Sequence, residues 1–206
     1  MNYLEFKKYL DCFTAFSIAD IERISPRFHR RRLNEWQQKG YIKKIIKGYY
    51  MFSDVDLNEN TLFEIANRIY NPSYISFEMA LSHYGLIPEA AYGITSAATR
   101  RTYTFKTNIG EFTYKTVKKP LFFGYDLKEY DKNKYFKMAS PEKALLDYFY
   151  IYPALKDTVA FESLRINKDA FLKHIHYKKL MIFLKKFKQK TLTQRIRTLL
   201  EFMKHA

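Results

Sequence analysis

Arg27, Arg31, Asn34 and Gln38 recur every three or four residues in the stretch SPRFHRRRLNEWQQKG, with Arg30 flanking them. At about 100° per residue they fall on one side of a helix, whereas His29, Leu33 and Trp36 fall on the other and Arg32 lies between. None of the four is a nucleophile or a general base at neutral pH; their chemistry is planar hydrogen bonding. A guanidinium forks onto O6 and N7 of guanine, a carboxamide pairs with N6 and N7 of adenine, and further guanidinium groups suit phosphates. A helix that only faces solvent more often alternates glutamate and lysine at four-residue spacing. Glu35 is the one acid in this stretch, so the face reads as a reader of double-stranded DNA.

The flanking residues say how such a helix would be held. Ser25 predicts an N-cap, Pro26 a first helical position and Gly40 a left-handed C-terminal stop. The sequence YIKKIIKGYYMF then offers Tyr41, Ile42, Ile45, Ile46, Tyr49 and Tyr50 as strand formers around a tight Lys47-Gly48 turn, a hairpin carrying Lys43, Lys44 and Lys47. Upstream, NYLEFKKYL places Tyr3, Leu4, Phe6 and Leu10 at mixed helical spacing and predicts a first helix. FSIADIERIS predicts a second, with Ser17 and Asp20 as a capping box and an apolar face of Ile18, Ile21 and Ile24. Three helices and a basic hairpin predict a winged helix-turn-helix, its third helix in the major groove and its wing on phosphates. The competing reading is a small helical cap with incidental basic residues.

The chain has 206 residues, enough for one substantial core or two small ones. Its formal net charge of +15 argues for a polyanionic partner. Residues 1–52 carry 11 basic and 5 acidic side chains, residues 53–150 carry 12 of each, and residues 151–206 carry 13 and 4. A neutral middle thus separates two basic ends. The polar stretch SDVDLNEN, residues 53–60, predicts the boundary between a DNA-binding domain, 1–53, and an effector domain, 54–206, with a softer division near 151–158. A single cysteine, Cys12, permits no internal disulfide and fits a reducing cytoplasm, where a buried, inert thiol is expected. The N-terminus has no continuous apolar signal core, and no apolar run reaches the roughly 20 residues of a membrane span.

In the middle, Asn60 and Ser76 are expected to cap two helices, the second stopping at Gly85. YGITSAATRRTYTFKT, GEFTYKTV and PLFFGYDL alternate as strands, with a hairpin at Asn108–Gly110. SPEKALLDYFY opens a further helix at Ser140 and Pro141. The fold class is therefore α+β: the winged helix-turn-helix, a mixed α/β effector domain, and a basic helical C-terminus. In order, KGYIKKIIKGYYMF, SYISFEMALSHYGLIPE, TSAATRRTYTFKTNIGEFTYKTV and ASPEKALLDYFY resemble the AbiEi family of antitoxins, across roughly residues 15–150.

That resemblance implies a bacterial transcriptional repressor that binds inverted repeats in its own promoter. It also implies an antitoxin of a type IV system in abortive phage defence, opposing a nucleotidyltransferase-like toxin without needing a stable complex. Two half-sites could be filled by a dimer or by cooperating monomers. Residues 151–206 carry no block of the resemblance. A rival reading makes the winged helix and the basic C-terminus docking surfaces of a protein- or RNA-interaction module.

Catalysis finds little footing. No phosphate-binding glycine loop occurs among six glycines, and no cofactor or metal site is expected. The spacing of His174 and His176 suits shared ligation only on a strand, and its surroundings read as helix. Glu142, Lys143 and Asp147 form either an ion-paired helix start or a polar cluster for a partner or ligand. From Asp169 the sequence reads as amphipathic helix, with a second helix from Thr191 or Thr193. Apolar Leu172, Ile175, Leu180, Phe183, Leu184 and Phe187 alternate with lysines. Lys178, Lys179, Lys185, Lys186, Lys188, Arg195 and Arg197 make a candidate second nucleic-acid surface. Plain packing with a solvated lysine face and adsorption to a membrane surface compete with it.

Overall fold

A computed structural model of the chain describes residues 1–88 and 93–205. It is a mixed α+β fold. The N-terminal unit runs α1 (Tyr3–Leu10), β1 (Phe16–Ser17), α2 (Ile18–Ile24), α3 (Arg31–Gln38), β2 (Ile42–Ile46) and β3 (Tyr49–Phe52). Asn2 and Glu5 form a reciprocal capping box on α1 at 2.9 Å each way. On α2 the expected Ser17–Asp20 box is present. The strands form one antiparallel sheet in the order β1-β3-β2, in which β1, absent from the sequence reading, pairs Phe16 with Tyr50. Phe6, Leu10, Phe16, Ile21, Leu33, Trp36, Ile42, Tyr50 and Phe52 close a small core between helices and sheet.

The third helix begins later than expected. Residues Ser25 and Pro26 do not start it: the Ser25 amide donates to the Ile21 carbonyl and terminates α2. Pro26 occupies a turn closed by the Phe28 amide on the Ser25 carbonyl at 3.0 Å, a position its fixed φ suits as well as a helix N-terminus. Arg30 takes the cap position, where its side chain makes no hydrogen bond to the helix. At the other end Gly40 has φ +71°, and the Gly40 and Tyr41 amides return to the Gln37 and Trp36 carbonyls, a Schellman closure that a glycine permits.

The larger unit continues with α4 (Glu59–Ile69), β4 (Ser73–Ile75), α5 (Phe77–His83), β5 (Ile94–Ala98), β6 (Tyr103–Thr107), β7 (Gly110–Thr116), β8 (Tyr125–Asp131), β9 (Lys134–Ala139) and α6 (Pro141–Ile151). Its six-stranded mixed sheet has the order β6-β7-β5-β4-β9-β8. Strands β4 and β9 are not among the strands expected from the sequence. Tyr92, where the first alternating run was placed to begin, lies outside the described residues, as does Glu89 of the second resemblance block. Directly paired residues share a face, so the registers sort the sheet. Ser96 and Tyr114 face α4, where the Tyr114 hydroxyl donates to the Ala66 carbonyl at 2.7 Å. Tyr74, Ala97 and Lys115 face α5 and α6.

Two caps differ from expectation. Asn58, not Asn60, caps α4 by accepting the Thr61 amide. Ser76 precedes α5 as expected, but its hydroxyl goes to Asp147 instead of the helix. The chain ends in α7 (Thr158–Ser163), α8 (Lys168–His174), α9 (Tyr177–Phe187) and α10 (Lys190–His205). The run expected from Asp169 is thus broken at Ile175–His176. No helix among the described residues is long and apolar enough to cross a membrane.

Candidate nucleic-acid interface

Helix α3 buries Leu33 and Trp36 and exposes Arg31, Asn34, Glu35 and Gln38. Trp36 fixes its rotation by packing at 4.5 Å from Phe6 and 5.8 Å from Phe28, ring centre to ring centre. Arg31 is 90% exposed in its side chain and meets Glu35 only at 3.5 Å, a solvent-screened contact that holds neither residue tightly. Asn34 and Gln38 sit one and two turns further on the same side, so guanidinium and both amides are presented together.

Other members of the predicted set are placed differently. Arg27 is exposed in the turn before α3, off the helix face to which the sequence assigned it. Arg30, at the cap, pairs with Glu22 of α2 at 2.6 Å. Arg32 is half-buried and donates to the Met1 carbonyl, tying α3 to the N-terminus. His29, expected on the core side, is exposed because the chain has not yet entered the helix there. Cys12, expected buried, is exposed in the turn after α1.

Lys43, Lys44 and Lys47 are all exposed on the β2–β3 hairpin. Lys43 and Lys44 are adjacent, so alternation alone would send one inward. They lie on an edge strand with a bulge between Lys44 and Ile46, which bends the strand and leaves both ammonium groups in solvent. Gly48, at φ +85°, makes the turn, and its carbonyl accepts the Ile18 amide at 3.0 Å. The hairpin tip is therefore tied to the start of α2.

This unit is anchored to the rest of the chain. Ala15, Ile45 and Met51 belong to the larger hydrophobic core, not to the small one. Thr14 donates to Glu64 of α4 at 2.6 Å, and Tyr130 of β8 donates to the same carboxylate at 2.5 Å. Arg68 of α4 reaches Asp20 at 3.0 Å and lies 4.3 Å from the Phe13 ring centre. Burial pushes the Asp20 carboxyl up, but hydrogen bonds from Ser17 and the Arg68 guanidinium outweigh it and hold Asp20 below the usual range. Sequence reading found Asp20 as a cap and missed it as an anchor; Arg68, 48 residues away, carries no local signal.

The second basic set separates into unlike groups. Lys178, Lys185, Lys188 and Arg197 are exposed. Lys179 pairs with Glu142 at 3.0 Å, and Lys186 lies 4.3 Å from the Phe123 ring centre. Arg195 is not a surface residue. It is 9% exposed and donates to the carbonyls of Phe149, Tyr152 and Leu155, filling acceptors that the end of α6 leaves open.

Glu142, Lys143 and Asp147 turn inward. Lys143 and Asp147 pair with side chains 0% exposed, and Tyr74 and Ser76 donate to Asp147 at 2.8 and 2.9 Å. Burial pushes the Asp147 carboxyl up and the Lys143 amine down, each opposed by the partner's charge. Glu142 accepts from Ser140, Lys179 and the His176 amide. Burial would raise its pKa, but these donors and its own amide hold it low. No face of the Lys143–Asp147 pair is open to a ligand, so the partner-contact reading of that pair is overturned. Among the described residues no group of three or more His, Cys, Asp and Glu is arranged to hold a metal. Comparison with models of known families and with curated proteins returned no match.

Proposed function

We propose that residues 1–53 form a winged helix-turn-helix that binds double-stranded DNA, with α3 in the major groove and the β2–β3 hairpin along the neighbouring backbone. On this reading the chain is a sequence-specific transcriptional repressor, and residues 54–206 are the effector part of an AbiE-like type IV antitoxin. The observation that carries the DNA reading is the division of α3. Leu33 and Trp36 are locked in the core while Arg31, Asn34 and Gln38 stand exposed together beside the exposed lysines of the hairpin. Base-edge donors on a rigid helix, next to sequence-independent cations, supply both register and specificity. Repression of its own promoter and opposition to a nucleotidyltransferase-like toxin rest on the four ordered sequence blocks.

A gel shift on the DNA upstream of the gene, with excess competitor at roughly 150 mM salt, tests the repressor. We expect a shift that scrambled DNA of equal length does not compete away. Equal competition by the scrambled duplex overturns the sequence-specific reading. Sequencing the reading frame beside the gene and co-expressing its product tests the antitoxin: a nucleotidyltransferase-like toxin whose growth arrest this chain relieves is expected, and continued arrest or the absence of such a frame removes the reading.

A further inference from the structure

The short helix α8 leaves an opening that the core does not fill. Phe171 and Ile175 turn inward, but the break at Ile175–His176 redirects the chain, and Leu172 and Tyr177 project at 68% and 62% exposure. Between α8, α9 and α10 lies a groove of about 1030 Å³, with Met181 and Met203 on its floor and Leu172 and Tyr177 at its lip. Apolar side chains exposed together mark an interaction site more often than chance, and methionines adapt to differing partners. At about 1030 Å³ the groove stands at the top of the range usual for small-molecule pockets, roughly 300–1,000 Å³, large enough to take a segment of chain.

The rim is charged. Arg197 and Lys204 stand on it with Glu201, which Lys204 already holds at 2.8 Å. Arg197 has no acidic partner among the described residues, and residues 151–206 as a whole carry 13 basic against 4 acidic side chains. We propose that this groove binds an amphipathic helix of a partner protein, with apolar residues at i, i+3, i+4 and i+7 seated on the floor and aspartates or glutamates facing the rim. A second copy of this chain fits poorly, since a two-fold pairing sets the same cations against themselves. A lipid surface fits poorly as well, because membrane-adsorbed helices present a convex apolar face and this one is recessed between helices.

The test uses a fluorescent helical peptide of about 15 residues with leucine at those positions and glutamate elsewhere. Two controls are its lysine counterpart and a scrambled glutamate peptide. The full chain binds the first at least about tenfold more tightly than either control. Leu172→Glu weakens that binding about tenfold, and Arg197→Glu weakens it while improving the lysine peptide. Both positions are exposed, so the melting temperature stays unchanged in either variant, and Leu172→Glu, which removes no cation, leaves operator affinity unchanged. Equal affinity for acidic and basic peptides, or no binding, overturns the proposal. So does a dimer in sedimentation velocity, or binding to phosphatidylserine vesicles, that Leu172→Glu abolishes.

Discussion

The Arg68 guanidinium of α4 reaches the Asp20 carboxylate of α2 at 3.0 Å while its central carbon lies 4.3 Å from the Phe13 ring centre. A residue that caps a helix in the small N-terminal unit is thereby also a fastening point for the larger one. The contact is mostly buried, with Asp20 and Arg68 side chains 14% and 26% exposed. Charge-assisted hydrogen bonds of this kind contribute about 1.5–3 kcal/mol. Arg68→Ala is expected to lower the urea midpoint accordingly and to speed protease cleavage within residues 53–60. An unchanged midpoint and cleavage rate would show that the apolar contacts of Ala15, Ile45 and Met51 alone fasten the units.

The same carboxylate gives a pH dependence with a definite sign. Asp20 is held below the usual range in the folded protein, so between the two values the unfolded chain binds more protons. Its stabilisation is complete above the unfolded value of about 3.9 and is lost as pH falls through the lower folded value. The charged groups beside it are Arg68 and, at 3.9 Å, Arg23. Asp20→Asn keeps the cap but removes the charge. The variant should be less stable than the parent at pH 7, with the gap narrowing steadily below about pH 4 in urea titrations. A gap independent of pH would assign the effect to packing.

What could be read from the sequence was what short-range chemistry specifies. The Ser17–Asp20 box, the Gly40 stop and the Lys47-Gly48 turn are decided by a few consecutive residues, and each stands where it was placed. Where two local choices were comparable, reading went astray: Ser25-Pro26 starts helices and makes turns equally well, and the competing demand of α2 to end at Ile24 decided it. That shift moved Arg27 and His29 off the helix while leaving Arg31, Asn34 and Gln38 on it. Long-range placement was invisible. Nothing near Arg195 tells that it fills the carbonyls ending α6, nor does anything near Ser76 tell that Asp147 claims its hydroxyl.

Asp147 gathers three donors inside the fold, from Lys143, Tyr74 and Ser76. Removing one member of a buried pair strands the others, at about 3–5 kcal/mol. Asp147→Ala should therefore be among the most destabilising substitutions in the chain by urea denaturation. Combining it with Lys143→Met should restore part of the loss, because the stranded ammonium is gone. If the double variant lost the sum of the two single losses, the pair would not be coupled.

Arg195 supplies the donors that carbonyls at a helix end lack, and its loss leaves the carbonyls of Phe149 and Tyr152 without them. Arg195→Ala should cost about 1–3 kcal/mol and leave nucleic-acid affinity untouched. Arg197→Ala, two residues on and exposed, should do nothing measurable to stability. Thermal melts of the two variants separate a structural arginine from a surface one; equal melting points would contradict the buried placement.

The late start of α3 sharpens what each basic residue should do on DNA. Asn34 lies on the exposed face of the helix, so Asn34→Ala should cost about 1–3 kcal/mol on the operator and little on scrambled duplex. Arg27 lies in the turn before it, off the helix face, and Lys47 sits at the hairpin tip, so the proposed placement of the duplex assigns both to backbone phosphates. Alanine at either position should weaken operator and scrambled DNA alike and reduce the magnitude of the salt slope by about 0.9. Binding isotherms over a salt series on both duplexes decide the matter. Loss of discrimination in Arg27→Ala, with an unchanged slope, would return Arg27 to the base-reading set and count against a helix that begins at Arg31.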